Sequence, residues 1–198
     1  MHRLIYVTSL GIVADAASEW LRERWRAEQL LLNSGLDVTI IRPGMIVGTG
    51  GRGFEMLASQ ARKPVAVFLG GQQRLRTIAI DDLIYYLVGV LNDPRAYRYR
   101  YDVGNDDVLT NRQIIDVGAA ILGRRPPIKL QIPLALLGAL APVLERAGKL
   151  PKGAFKGLLD GLADDAIGDP RPIRSILPRA LLSCRQAAER ALASKLRK

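Results

Sequence analysis

Cysteine and histidine are almost absent from this 198-residue chain: Cys184 is the one thiol and His2 the one imidazole. A single cysteine cannot close an internal disulfide or build a multi-cysteine metal site. One histidine at the extreme N-terminus excludes zinc sites of the His/Cys type and any triad that needs a buried, oriented imidazole. No metal is therefore expected. Aromatic residues make up only 6% of the chain and are not interleaved with clustered cations, which argues against a nucleic-acid binder. Long apolar runs are lacking as well. The longest late one, Ile132 to Leu144, contains Pro133, Gly138 and Pro142 and is too short to span a bilayer. Near the N-terminus, His2-Arg3, the run from Leu4 and Ala14-Asp15-Ala16 imitate a secretory signal. Thr8, Ser9 and Gly11 interrupt that run, which reads better as a short buried strand, and a cytoplasmic protein is expected.

What is present suits one domain, or one and a half, with a proper core: 48% of the residues are apolar. The net charge of +10 is uneven. Residues 1–94 hold ten Lys/Arg against nine Asp/Glu, and residues 95–198 hold nineteen against ten. The basic half favours anionic partners, whether a phosphorylated ligand, an acidic protein or an anionic membrane surface. The plainer alternative is that these cations solubilise a leucine- and alanine-rich half.

Residues 3–8, RLIYVT, form a continuous β-prone run of the kind found in covered parallel sheets. A helix is expected from Ser18, as N-cap, to Asn33, and a strand from Asp37 to Ile41 ended by Arg42-Pro43-Gly44. Strand, helix and strand joined this closely predict a right-handed βαβ unit. Further on, the pattern predicts a helix near 53–62 and strands at PVAVFL and Leu75 to Ile80. Asp81-Asp82 are expected to cap a helix to Leu91, followed by a strand from Tyr99 to Val103 and a helix from Thr110 to Leu122. One more strand is expected at Ile128 to Ile132, then helices interrupted by Pro and Gly. This gives an α/β reading with a partial Rossmann-like unit at 1–125 and a mainly helical subdomain at 126–198.

The series YVTSLG, WLRERWRAEQLLLNSGLDVTIIRPGMIVG and RTIAIDDL resembles the C-terminal portion of an extended or atypical short-chain dehydrogenase/reductase. It is most similar to the NAD-dependent epimerase/dehydratase-like, NAD(P)H-binding group that includes relatives of a complex I accessory subunit. The resemblance implies a Rossmann-like parallel sheet, of which this chain carries the C-terminal half, then a substrate-type subdomain. It also implies a first βαβαβ half with the glycine-rich dinucleotide fingerprint, which this sequence does not show. At about 30 residues per βαβ unit, roughly 90–100 residues are lacking. The expectation is a truncated gene product, with a partner that supplies those strands as the alternative. NAD(P) is the implied cofactor, although binding by this chain alone is not expected to be complete.

In that family a Tyr phenol is the acid/base, a Lys four residues on lowers its pKa and holds the nicotinamide ribose, and a Ser/Thr orients the substrate. Carried over, Ser9 matches the Ser with Thr8 beside it, Trp20 stands at the Tyr position and Arg24 at the Lys position. An indole offers only an N–H donor, so Trp20 cannot exchange a proton. Arg24 keeps its charge and could hold a ribose or phosphate with different geometry. The alternative for WLRER is the packed and solvated surface of an ordinary helix. Arg42, Pro43, Gly44, Met45 and Ile46 match the segment that passes the nicotinamide ring. Arg74 and Arg76 flank the register where nucleotide-sugar enzymes place an Arg, which Leu75 occupies here. Gly48-Thr49-Gly50-Gly51-Arg52-Gly53 satisfies G-x-G-x-x-G by letter. It has no acid about 20 residues on, and the preceding strand is expected to end earlier, so it reads as a loop whose Arg52 could touch an anion. The substrate is undefined, and three readings stay open: an NAD(P)-binding oxidoreductase or epimerase-like protein without Tyr-Lys catalysis, a non-catalytic scaffold of the same fold, or residues 128–162 as an amphipathic, lipid- or quinone-facing surface in place of a plain helical substrate subdomain. The scaffold reading includes peripheral membrane or protein-complex contact through the basic half.

Overall fold

Continuous β-branched runs separated by amphipathic stretches place parallel strands at the centre of the molecule. The computed structural model describes residues 3–69, 73–132, 134–147, 153–161 and 164–196. Strand β1 (Arg3–Val7), helix α1 (Glu19–Leu32) and strand β2 (Asp37–Pro43) form the expected βαβ unit. With β6 (Tyr99–Val103) they make a parallel sheet of order β1-β2-β6. A second sheet, β3-β5-β7, joins β3 (Met45–Val47), β5 (Arg74–Ala79) and the short β7 (Val108–Thr110), with β3 parallel and β7 antiparallel to β5. Strands β4 (Val65–Leu69) and β8 (Ile128–Ile132) form a parallel pair. The architecture is α/β with Rossmann-like parallel strands, as the sequence implies.

The remaining helices are α2 (Arg52–Gln60), α3 (Ile80–Gly89), α4 (Asn111–Ile121), α5 (Leu134–Ala147), α6 (Ala154–Gly161), α7 (Arg171–Ile176) and α8 (Cys184–Leu196). Helix α4 starts where the sequence places it. Thr110 accepts from the Gln113 backbone while the Gln113 side chain reaches back to the N-cap backbone, a complete capping box. One core is built by Phe54, Leu57, Phe68, Ile114, Ile115 and the small face of α8. A second packs Ile41, Ile78, Leu83, Tyr86, Val103 and Ile173 between the first sheet and α3. Among the described residues, no helix is long and apolar enough to cross a membrane.

Two local expectations are corrected. Arg42-Pro43-Gly44 does not end the extended backbone: the chain crosses at Gly44 and re-enters a strand at once, in the second sheet. Gly44 permits that crossing, because a Cβ there would lie 2.2 Å from the Arg76 carbonyl oxygen. Asp82 does not cap α3, whose N-cap is Ala79 with no side-chain cap bond. Strand β5 runs directly into the helix, so Asp82 falls inside the first turn and is turned inward, 1% exposed.

Candidate functional site

Open parallel sheets bind ligands outside the carboxyl ends of their strands. Here those ends bring together Thr8 and Ser9 after β1, Arg42 and Pro43 closing β2, and Asp102 and Val103 closing β6. Register fixes the alignment, with Arg42 opposite Asp102 and Pro43 opposite Val103. Backbone bonds from Thr8 to Ile41 (2.9 Å) and from Leu10 to Pro43 (3.1 Å) hold half-buried Ser9 against β2.

Helix α1 carries Trp20, Arg24 and Glu28 at spacings of four, hence along one face. The stripe descends from solvent into the core: Trp20 is 53% exposed, Arg24 half-buried and Glu28 fully buried. The Arg24 guanidinium stacks over the Trp20 indole at 4.3 Å from the ring centroid. Its Nε is buried and has no hydrogen-bond partner among the described residues. Glu28 is locked in place. Arg42 donates from Nε to both of its oxygens (3.0 and 3.1 Å) and from a terminal nitrogen to Oε2, while the Thr8 hydroxyl donates to Oε1 at 2.8 Å. Asp102 stands 4.0 Å from Arg42, and burial pushes its carboxyl above the ordinary range against the pull of a bond from the Asp169 N–H.

A strap from the C-terminal half crosses these strand ends. Ala166 bridges Leu75 through paired backbone bonds (2.9 and 2.8 Å), and the Asp169 N–H donates to Asp102 at 2.9 Å. Gly168 is required between them. Its φ is +58°, and a Cβ would lie 2.5 Å from Leu10 and 2.6 Å from the Asp102 carboxylate. The strap separates the two arginines of β5. Arg74 is exposed and pairs with Asp165 at 2.6 Å, whereas Arg76 turns toward the sheet ends and donates to the carbonyls of Ile167 (2.7 Å) and Asn105 (2.5 Å). Met45 and Ile46 are half-buried and pack against the two cores.

The Gly48–Gly53 stretch follows β3 directly, and its Gly51 is the N-cap of α2. Its strand-to-helix context is therefore nearer to a fingerprint than the sequence suggested. The Glu55 carboxylate nonetheless accepts the Gly50 N–H at 2.8 Å, placing negative charge where a phosphate would sit. Two adjoining clefts of about 220 and 210 Å³ share Gly48, Thr49 and Ala191, with Arg62 in one and Arg190 in the other. The side chain of Arg52 lies outside the described set, as do His2 and residues 70–72 of the run after β4. Among the described residues, no group of three His, Cys, Asp or Glu could hold a metal ion.

Glu28 and Asp102 are the site residues that do not stand out in the sequence. The one available signal for Glu28 was an acid on the apolar stripe of α1, four residues beyond Arg24. Nothing local marks Asp102, whose partners lie 60 and 67 residues away.

No family model matches the chain. It is 26% identical over 137 residues to NADH dehydrogenase (ubiquinone) 1 alpha subcomplex subunit 9, a mitochondrial protein of Arabidopsis thaliana. That match spans 67% of this chain and 34% of the relative, about a third of its length. An NADPH-dependent quinone oxidoreductase of Escherichia coli superposes over all of this chain and 68% of its own, with a TM-score of 0.71 and 17% identity. A nucleoside-diphosphate-sugar epimerase of Staphylococcus aureus matches 96% of this chain and 65% of its own, with a TM-score of 0.71 and 12% identity. The fold is thus the one shared by these NADPH-dependent and epimerase proteins, and the chain is similar in sequence to part of a complex I accessory subunit.

Proposed function

We propose that this chain holds the nicotinamide end of an NAD(P) cofactor and works without Tyr-Lys acid–base catalysis. The observation that carries the reading is Arg24, a permanent cation stacked on Trp20 whose buried Nε has no partner among the described residues. A buried donor left open is costly unless something accepts from it, and a ribose or phosphate oxygen suits a guanidinium. The indole beside it has no acid/base function, so the pair binds and orients but does not move a proton. Ser9, Thr8 and the Arg42–Ile46 crossing would line the same cofactor edge, with Arg24 as the cation that replaces the usual lysine. Residues 1–125 form the cofactor side in this reading and residues 126–198 the substrate side, with Arg76, which turns toward the sheet ends, as the cation nearest an anionic substrate.

The test is fluorescence titration of the purified chain with NADH, NADPH and reduced nicotinamide mononucleotide. The mononucleotide is expected to bind within about tenfold of the dinucleotides, because the chain holds mainly the nicotinamide end. Arg24→Ala is expected to weaken binding about tenfold, the loss of one charge-assisted bond. Trp20→Phe is expected to leave affinity nearly unchanged. Affinity that Arg24→Ala does not alter would remove the basis of the proposal. A second reading, a non-catalytic scaffold of the same fold, is favoured by one observation: Glu28 and Arg42 are committed to each other. A cofactor that binds but whose hydride is transferred to no carbonyl acceptor would select it.

A further inference from the structure

The β4–β8 pair has one face in the core and one in solvent. Ala66 and Phe68 are buried, while Val67, Ile128 and Leu130 are exposed, Ile128 by 68%. Register places Leu130 directly beside Val67, so the outer face is a continuous aliphatic surface. Helix α5 follows immediately and repeats the arrangement. Leu137 and Ala141 are buried, but Leu136, Leu140 and Val143 lie on one exposed face, Val143 by 65%. Helix α5 packs on α6, and α6 on α1, so α5 is the outer layer on that side.

Lys129 of β8 is paired with Asp116 at 2.5 Å, but the loops leading into the two strands carry exposed cations. Arg62 and Lys63 precede β4, Arg124 and Arg125 precede β8, and all four are exposed. A bond from Arg124 to the Arg62 carbonyl at 2.8 Å holds the two pairs side by side at one end of the sheet. None of the four is ion-paired to an acid among the described residues. Residues 123–158 contain seven Lys/Arg and a single acid, Glu145. That acid is buried and already accepts the N–H groups of Gly153 and Phe155, each at 2.9 Å.

We propose that the outer face of β4–β8 and the exposed face of α5 dock on an anionic phospholipid surface. Such a surface takes up an aliphatic face beneath a rim of cations and demands no fixed pattern of acceptors, which suits positive charge spread over two loops. A protein partner is disfavoured because, among the described residues, the face offers no aromatic anchor, the residue type that dominates interface cores. None of these residues takes part in the proposed cofactor contact, so failure of one reading leaves the other standing.

The experiment is flotation of the full chain with vesicles of phosphatidylcholine alone and with about 30% phosphatidylglycerol, the anionic lipid supplying the surface potential. The chain is expected to bind the anionic vesicles at least tenfold more tightly than the neutral ones, and to be released by about 0.5 M salt through screening. Removing two surface cations in Arg124→Gln/Arg125→Gln should weaken binding roughly thirtyfold, about fivefold per cation. Leu140→Glu should weaken it about tenfold or more by placing a charge on the inserted face. Both changes lie on the surface, and unchanged far-UV circular dichroism verifies folding. Equal partition to both vesicle types, or to neither, would overturn the proposal. So would equal retention by immobilised polyglutamate that Leu140→Glu leaves unchanged, since charge alone would then account for it.

Discussion

Replacing Glu28 by Gln removes the charge that neutralises Arg42 while keeping the shape of the side chain. Glu28 is fully buried and Arg42 is 9% exposed, so the cation left behind cannot be solvated where it stands. Breaking a buried pair by deleting one partner costs about 3–5 kcal/mol. The Thr8 hydroxyl can still donate to the amide oxygen, and Asp102, 4.0 Å from Arg42, supplies partial compensation. The expected loss is therefore near the lower end, about 3 kcal/mol, a large share of a typical 5–15 kcal/mol total. At an m-value of roughly 2 kcal/mol per molar in urea, the midpoint should fall by about 1.5 M. Arg42→Met should cost somewhat more, about 4 kcal/mol, because it strands a carboxylate with one hydroxyl donor. The double variant Glu28→Gln/Arg42→Met should lose far less than the two single losses combined. Glu19→Gln, in the exposed Glu19–Arg22 pair on the same helix, is the control and should produce no resolvable shift. A midpoint change below about 0.3 M for Glu28→Gln would refute the reasoning, since the pair would then be hydrated and worth no more than a surface bridge.

Gly168→Ala should destabilise by about 2–3 kcal/mol, from the left-handed backbone and the collision with Leu10 and Asp102, and should raise proteolytic cleavage near the strap; wild-type stability would show that the strap is not seated on Asp102. Asp82→Asn should cost about 2–4 kcal/mol, because Asp82 accepts Arg179 (2.7 Å) and the Leu182 N–H (2.9 Å) and so fastens the segment leading to α8; hydrogen exchange should rise first in α8. Burial pushes the Cys184 thiol up to about 11 from its ordinary 9.0, so native protein at pH 8 should resist thiol reagents until unfolding exposes the group. The sign follows: the folded state binds this proton more tightly, so its contribution is complete below about pH 9 and is lost between about pH 9 and 11, at most about 2–3 kcal/mol. Labelling at pH 8 as fast as that of a free thiol would contradict the burial.

The parts of this fold that can be read from residues alone are those whose determinants are close in sequence. RLIYV, the helix from Ser18 and DVTIIRP each carry their period and their stop signals within a dozen residues, and the Thr110–Gln113 capping box is complete in four. The crossing at Gly44 is not legible in the sequence because the reason for glycine there, the Arg76 carbonyl, lies on another strand. Asp82 is ambiguous for the same reason: an acid in a first turn looks like a cap until Arg179 arrives from 97 residues away. Trp20 and Arg24 stand out in the sequence as candidates through a resemblance, whereas Glu28, which joins their helix to the end of β2, does not. Arg24 lies one turn above Glu28 and inherits its position from the Glu28–Arg42 lock, so a cofactor contact by Arg24 requires a fixed helix beneath it. Loss of the lock should therefore weaken NAD(P)H binding even though neither Glu28 nor Arg42 need touch the ligand through its side chain, and Glu28→Asp, which keeps the charge, should restore part of what Glu28→Gln removes.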